Sequence, residues 1–168
     1  MMRPMFAFAA LALLAACDKG NEKGTDISIS GTDSQGKPAV ARLDGGTGRV
    51  TLDVPGVKLD LPLPKVTLNA DDFDIGGVAL YPGSTVNGLH VLTDKAGGSD
   101  DAVNIRFDSP AAPATVAAWF AEKMRQKGFT LTADGTSLSG KTEDGDPFTL
   151  RLTPGAAGHS SGVIDMKS

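Results

Sequence analysis

The sequence predicts an α+β fold: a mainly antiparallel β-sheet with one amphipathic helix packed on one face, preceded by short β-strands. Three observations carry this expectation. Apolar and polar residues alternate in many short segments, as in Val103-Asn104-Ile105-Arg106-Phe107-Asp108 and Phe148-Thr149-Leu150-Arg151-Leu152-Thr153, the period of a half-buried strand. One segment alone after residue 17, near 113–127, repeats its apolar residues at spacings of three and four, the period of a helix. Between the segments stand turn pairs such as Asp134-Gly135 and Asp144-Gly145, which suit hairpin connections.

The chain opens with Arg3 as its single early charge, followed by the apolar run Met5-Phe6-Ala7-Phe8-Ala9-Ala10-Leu11-Ala12-Leu13-Leu14-Ala15-Ala16. This is the layout of a secretory signal, and it is shorter than the roughly 20 apolar residues a spanning helix needs. Polarity changes abruptly at Asp18-Lys19-Gly20-Asn21, so the cut is expected near residue 17. Leu14-Ala15-Ala16-Cys17 resembles the lipobox of bacterial lipoproteins. The resemblance implies that the Cys17 thiol receives a diacylglyceryl group, that residues 1–16 are removed, and that the new amine is acylated, with palmitate among the acyl chains. Membrane lipid, through acylated Cys17, is then the first partner, and the location is the bacterial cell envelope, facing the periplasm. Asp18 resembles the inner-membrane retention signal of enteric members of this family, but Lys19 is not its usual companion, so the sequence leaves the choice of membrane open. Cys17 is the one cysteine in the chain, which leaves no disulfide to form within one molecule.

Removing residues 1–16 takes one positive charge, Arg3, from a chain of net charge -4, and leaves 15 basic against 20 acidic residues, a net of -5. A nucleic-acid partner calls for a basic stripe, so none is expected. The aromatic residues that remain, Phe73, Tyr81, Phe107, Trp119, Phe120, Phe129 and Phe148, all lie in the C-terminal part, from residue 73 on. The larger core is therefore expected there. The organisation read from these features is a signal peptide at 1–16, a lipidated tether at 17–26, a short-strand region at 27–70 and an α+β domain at 71–168.

Within 27–70, Ile27-Ser28-Ile29-Ser30 and Val40-Ala41-Arg42-Leu43 are expected as short strands. They are separated by turn-forming residues 31–38 and followed by the break Asp44-Gly45-Gly46-Thr47-Gly48. This glycine-rich stretch has few large side chains with which to hold itself in place. Val50-Thr51-Leu52-Asp53-Val54-Pro55, Val57-Lys58-Leu59-Asp60-Leu61-Pro62 and Val66-Thr67-Leu68-Asn69-Ala70 form a small internal echo, each with one apolar and one polar face. Their prolines favour edge positions, because proline donates no ladder hydrogen bond. Pro55-Gly56 suits a type II turn, whose twist matches a hairpin poorly, so the chain is expected to turn a corner there.

Within 71–168, Leu89-His90-Val91-Leu92 and Val103–Asp108 are expected strands. The helix follows over Pro113–Lys127. Pro113 suits its first turn, Val116, Ala117, Phe120, Ala121 and Met124 form its buried stripe, and Trp119 lies at the margin. Gly128 is expected to end it in the left-handed conformation, with Phe129 packing back on Met124. Four strands come next, near 129–133, 137–141, 147–153 and 162–166. Tyr81-Pro82-Gly83-Ser84, the helix and Gly128-Phe129 also resemble a small α+β module of bacterial envelope lipoproteins, a resemblance that brings no known site with it.

Catalytic chemistry finds little support. Gly135-Thr136-Ser137-Leu138-Ser139-Gly140-Lys141-Thr142 matches the letters of a nucleotide-binding P-loop, but that loop works by starting a helix at its lysine. Here acidic and turn residues follow, Glu143-Asp144-Gly145-Asp146-Pro147, so a hairpin strand is expected instead. The acidic groups Asp71/Asp72/Asp74, Asp100/Asp101 and Glu143/Asp144/Asp146 lack the spacing of a calcium loop and are expected as solvated turns. His90 and His159 are the two histidines, and a zinc site would need both to converge with a carboxylate. No catalytic residues, cofactor or metal are expected. The function expected is a lipid-anchored envelope module that binds or scaffolds another envelope protein without catalysis. The alternative is an envelope hydrolase or other enzyme whose acidic and histidine residues meet only in three dimensions.

Overall fold

Alternating segments become strands that lie side by side in one large mixed sheet. The computed structural model describes residues 24–32, 36–64, 66–93 and 101–167. Cys17 and the signal region lie outside them, as does Asp100. The first half contributes β1 (Asp26–Thr32), β2 (Pro38–Asp44), β3 (Arg49–Val54), β4 (Val57–Pro62) and the two-residue β5 (Leu68–Asn69). A small separate hairpin follows, β6 (Asp74–Ile75) and β7 (Val78–Ala79), and then β8 (Thr85–Thr93) and β9 (Ala102–Ser109). The helix α1 (Pro113–Gln126) precedes β10 (Thr130–Asp134), β11 (Ser137–Lys141), β12 (Pro147–Pro154) and β13 (Ser160–Lys167). Across the sheet the order is β10-β11-β12-β13-β9-β8-β1-β2-β3-β4, with β5 beside β8. The strands of both halves therefore share one sheet.

The sheet departs from the antiparallel expectation at one seam. β1 runs parallel to β8, with Ile27 opposite Leu89 and Ile29 opposite Val91. A parallel pair needs a long connection, and here it is the whole of β2 to β7. The seam is pinned at its start by Thr25, whose hydroxyl donates to the Val86 carbonyl and accepts from the Leu68 N–H. Its own N–H donates to the Val66 carbonyl at 2.8 Å. Gly24 and Gly45 cross so closely that a Cβ on Gly45 would lie 2.1 Å from the Gly24 carbonyl oxygen.

One local expectation is corrected. Pro55-Gly56 does not turn a corner: Val54 and Val57 pair directly and five more residue pairs follow in register. Gly56, at φ +86°, supplies the left-handed residue of the turn, and the continuous ladder overrides the poor match of twist. The two strands expected between 27 and 48 form as β1 and β2, with β1 paired on both sides and β2 held between β1 and β3. In the β2–β3 loop, Asp44 accepts the Thr47 N–H at 2.8 Å. That bond holds its carboxyl below the usual aspartate range. Of the third echo, only Leu68–Asn69 pairs.

One row of side chains explains the layering. Leu59, Leu52, Ala41, Ile29 and Val91 stand opposite one another across β4, β3, β2, β1 and β8. The row continues through Val103, Met166, Phe148, Gly140 and Leu131. This row is thus apolar, or glycine, on all ten strands. The helix covers only part of it, over β10 to β13 and β9, where Phe120 meets Phe107 at 5.9 Å between ring centres. Residues 70–84 cover the next part with Ala70, Ile75, Val78 and Leu80, all buried. Among the described residues, every buried apolar side chain lies at position 70 or later, as the placement of the aromatics predicts.

The helix matches its expected span and stripe: Val116, Ala117, Phe120, Ala121 and Met124 are buried. Its end is a Schellman cap, in which the Phe129 N–H donates to the Met124 carbonyl at 3.0 Å and the Gly128 N–H to the Arg125 carbonyl at 3.2 Å. Gly128 sits at φ +82°, where a β-branched residue is strained. Gly128→Val is expected to lower stability by about 1–3 kcal/mol. Thermal unfolding checks it, and an unchanged melting temperature would contradict the role of this cap.

Candidate interaction surface

Beyond β8 the apolar face has no cover among the described residues. Ile105, Ile164 and Leu150 are buried beneath the helix layer, Leu89 and Ile27 are half-buried, and Ile29 is 46% exposed. The trend ends at β4, where Val57 is 50%, Leu59 44% and Leu61 43% exposed. Leu63 and Val66, which follow it, are exposed as well. Val57, Leu59 and Leu61 face one way because strand residues two apart share a face, and the β3–β4 register stacks them on Val54, Leu52 and Val50. Large contiguous exposed apolar patches are uncommon on monomeric globular proteins.

β4 is also the last strand of its end of the sheet. One side pairs with β3, and among the described residues no strand pairs with the other, the kind of edge that strand-adding partners use. On the opposite face of this hairpin the charges are matched within the chain. Arg49 meets Asp60 at 3.0 Å and Lys58 meets Asp53 at 3.5 Å. Both pairs are well exposed and contribute little stability.

The reverse face of the sheet carries the other chemistry singled out in the sequence. Arg106, opposite Gly88 in the ladder, lays its guanidinium over that glycine and reaches His90 Nε2 at 2.9 Å. Arginine has only donors, so Nε2 is the acceptor. Nearby, Asp165 accepts from Asn104 Nδ2 at 2.6 Å and from Arg151 Nη2 at 2.7 Å. This is a pairing network on an open sheet face, with every carboxylate oxygen of Asp165 in use.

The two histidines are not brought together. His90 stands opposite Asn104, whereas Ser160, next to His159, stands opposite Ser109. Five strand positions separate those points, about 17 Å along β9. Among the described residues no three or more His, Cys, Asp or Glu side chains gather where they could hold a metal ion. Asp72 accepts the Asn69 N–H at 3.0 Å in a short 3-10 turn, and Thr142 and Asp146 bond each other across the β11–β12 turn. The P-loop letters fall on the β10–β11 turn and on β11 itself, which is paired on both sides. Gly140 serves close packing: a Cβ there would lie 1.9 Å from the Thr130 carbonyl oxygen. No helix starts at Lys141.

The open face was only half visible in the sequence. The alternation in 49–70 marks an apolar side, but nothing local says that no layer will cover it. The absence of aromatic residues from that region is the one available signal. Comparison of the chain with protein-family models, with curated proteins and with solved structures finds no match.

Proposed function

We propose that this chain is a lipid-anchored protein of the bacterial cell envelope that binds or scaffolds another envelope component through the open end of its sheet. The observation that carries the binding reading is the uncovered apolar stripe of Val57, Leu59 and Leu61 on an unpaired edge strand. The lipobox-like Leu14-Ala15-Ala16-Cys17 supports the anchor. Six residues separate Cys17 from Gly24, and the reach between the two is at most about 25 Å, so the anchor would hold the sheet close to the bilayer. The enzyme alternative draws no support from the histidines, which stand apart on an open face and in a loop.

Two or three acyl chains hold a protein firmly to a membrane, each buried CH2 contributing about 0.8 kcal/mol. Cys17→Ser is therefore expected to move the exported protein from the membrane pellet to the soluble fraction. Retention of the variant on membranes would disprove anchoring through Cys17. The binding reading is tested by crosslinking in intact cells and capture of the protein, with Leu59→Lys as the control that spoils the stripe. A stoichiometric adduct lost in that variant supports the reading, and an adduct pattern indifferent to it refutes it.

A further inference from the structure

The β4 edge is self-complementary, and we propose that its partner is a second copy of this chain, added as an antiparallel β4–β4 pair centred on Leu59. The inference rests on the binding reading above but not on lipid attachment.

The orientation of the strand fixes which backbone groups are on offer. The Leu63 N–H donates to the Gly48 carbonyl at 2.7 Å, continuing the register that sets Arg49 opposite Pro62. Backbone groups alternate sides along a strand, so those of Leu61, Leu59 and Val57 turn towards β3, while Lys58 and Asp60 turn theirs outwards. An antiparallel partner copy must exchange its hydrogen bonds through these two residues.

Three symmetric registers meet that condition. Centred on residue 58, the pair opposes Lys58 to Lys58, and centred on residue 60 it opposes Asp60 to Asp60. The latter also calls on Pro62, which has no N–H. Centred on Leu59, Lys58 of each copy exchanges backbone bonds with Asp60 of the other, about four bonds in all, and their side chains lie opposite one another with opposite charge. Asp53 and Arg49 already flank these groups within each copy. The paired edge therefore reads Asp53, Lys58, Asp60, Arg49 in alternating sign across the join. On the other face, Val57 of one copy meets Leu61 of its partner, and the two open apolar stripes fuse into one. A two-fold contact of this kind is closed and does not propagate.

The register predicts which single cysteine can bridge. Leu59 meets its own copy at a non-hydrogen-bonded position, where Cα atoms lie about 4.5 Å apart, within disulfide range. Leu59→Cys in the full chain, expressed in an exporting bacterium and run on a non-reducing gel, is expected to form a covalent dimer. Val57→Cys alone is not, since its mate is Leu61. Val57→Cys co-expressed with Leu61→Cys is expected to crosslink as a mixed pair. In the Leu59→Cys background, Lys58→Asp or Asp60→Lys places like charges opposite each other and should cut the dimer about fivefold or more. Co-expression of those two variants restores opposite charges and should restore the crosslink. A dimer in the wild-type chain would report on an unlipidated Cys17, and so on the anchor alone. No Leu59→Cys dimer, equal crosslinking by Val57→Cys, or indifference to the charge changes would overturn the proposal.

Discussion

Gly162→Val is expected to destabilise the fold by about 3 kcal/mol or more, measured as a fall in the urea midpoint at unchanged slope. Gly162 lies on β13 directly opposite Phe107 of β9, and both face the helix layer. A Cβ at residue 162 would stand 2.2 Å from Phe107 Cζ, so the aromatic ring occupies the place where a side chain would be. Phe107 cannot give way cheaply: it is 1% exposed and held at 5.9 Å from Phe120. Close-packed interiors convert such overlap into off-rotamer side chains and backbone shifts. Phe107→Leu in the same chain shortens the obstructing group and should recover part of the loss. Equal loss with and without Phe107→Leu would show that the cost comes from the strand and not from this contact.

Phe120→Ala should cost about 3–5 kcal/mol. Phe120 is fully buried at the centre of the helix stripe. Its ring meets Trp119 edge-on at 5.0 Å and Phe107 at 5.9 Å, and such aromatic pairs add to the area term. Three further residues of the stripe, Val116, Ala117 and Met124, keep the helix on the sheet, so the expected outcome is a weakened fold with the same far-ultraviolet spectrum. A loss below about 1.5 kcal/mol would mean that the neighbours collapse into the space. Because Phe107 touches both sites, combining Phe120→Ala with Gly162→Val should cost less than the two losses added together.

Much of the second half was legible because its signals are local. Pro113 opens the helix, the spacing of Val116, Phe120 and Met124 sets its buried side, and Gly128-Phe129 closes it with the bonds its chemistry requires. Strict alternation in Val103–Asp108 and in Phe148–Thr153 placed β9 and β12. The parallel seam was not legible, since alternation between Ile27 and Ile29 reports a face and not a direction. The turn at Pro55-Gly56 misled because a preference of two residues was outweighed by six ladder pairs. The Arg106–His90 contact depends on the irregularity between Val86 and Gly88 in β8, which shifts the pairing of β8 and β9. Lipidation at Cys17 remains the most specific reading of the sequence itself, and Leu59 with its flanking Lys58 and Asp60 the most specific reading of the surface.

The parallel seam between β1 and β8 also sets an order of assembly. β1 to β4 are joined by hairpins, and β8, β9, α1 and β10 to β13 form a second run of near neighbours, but Asp26 must find Gly88 across sixty-two positions of chain. Closing so long a loop is entropically costly until the ladder on either side can repay it. In a chain that emerges N-terminus first, the four leading strands can pair among themselves before β8 has appeared. They then wait, with both edges open, until the rest of the sheet arrives to receive them.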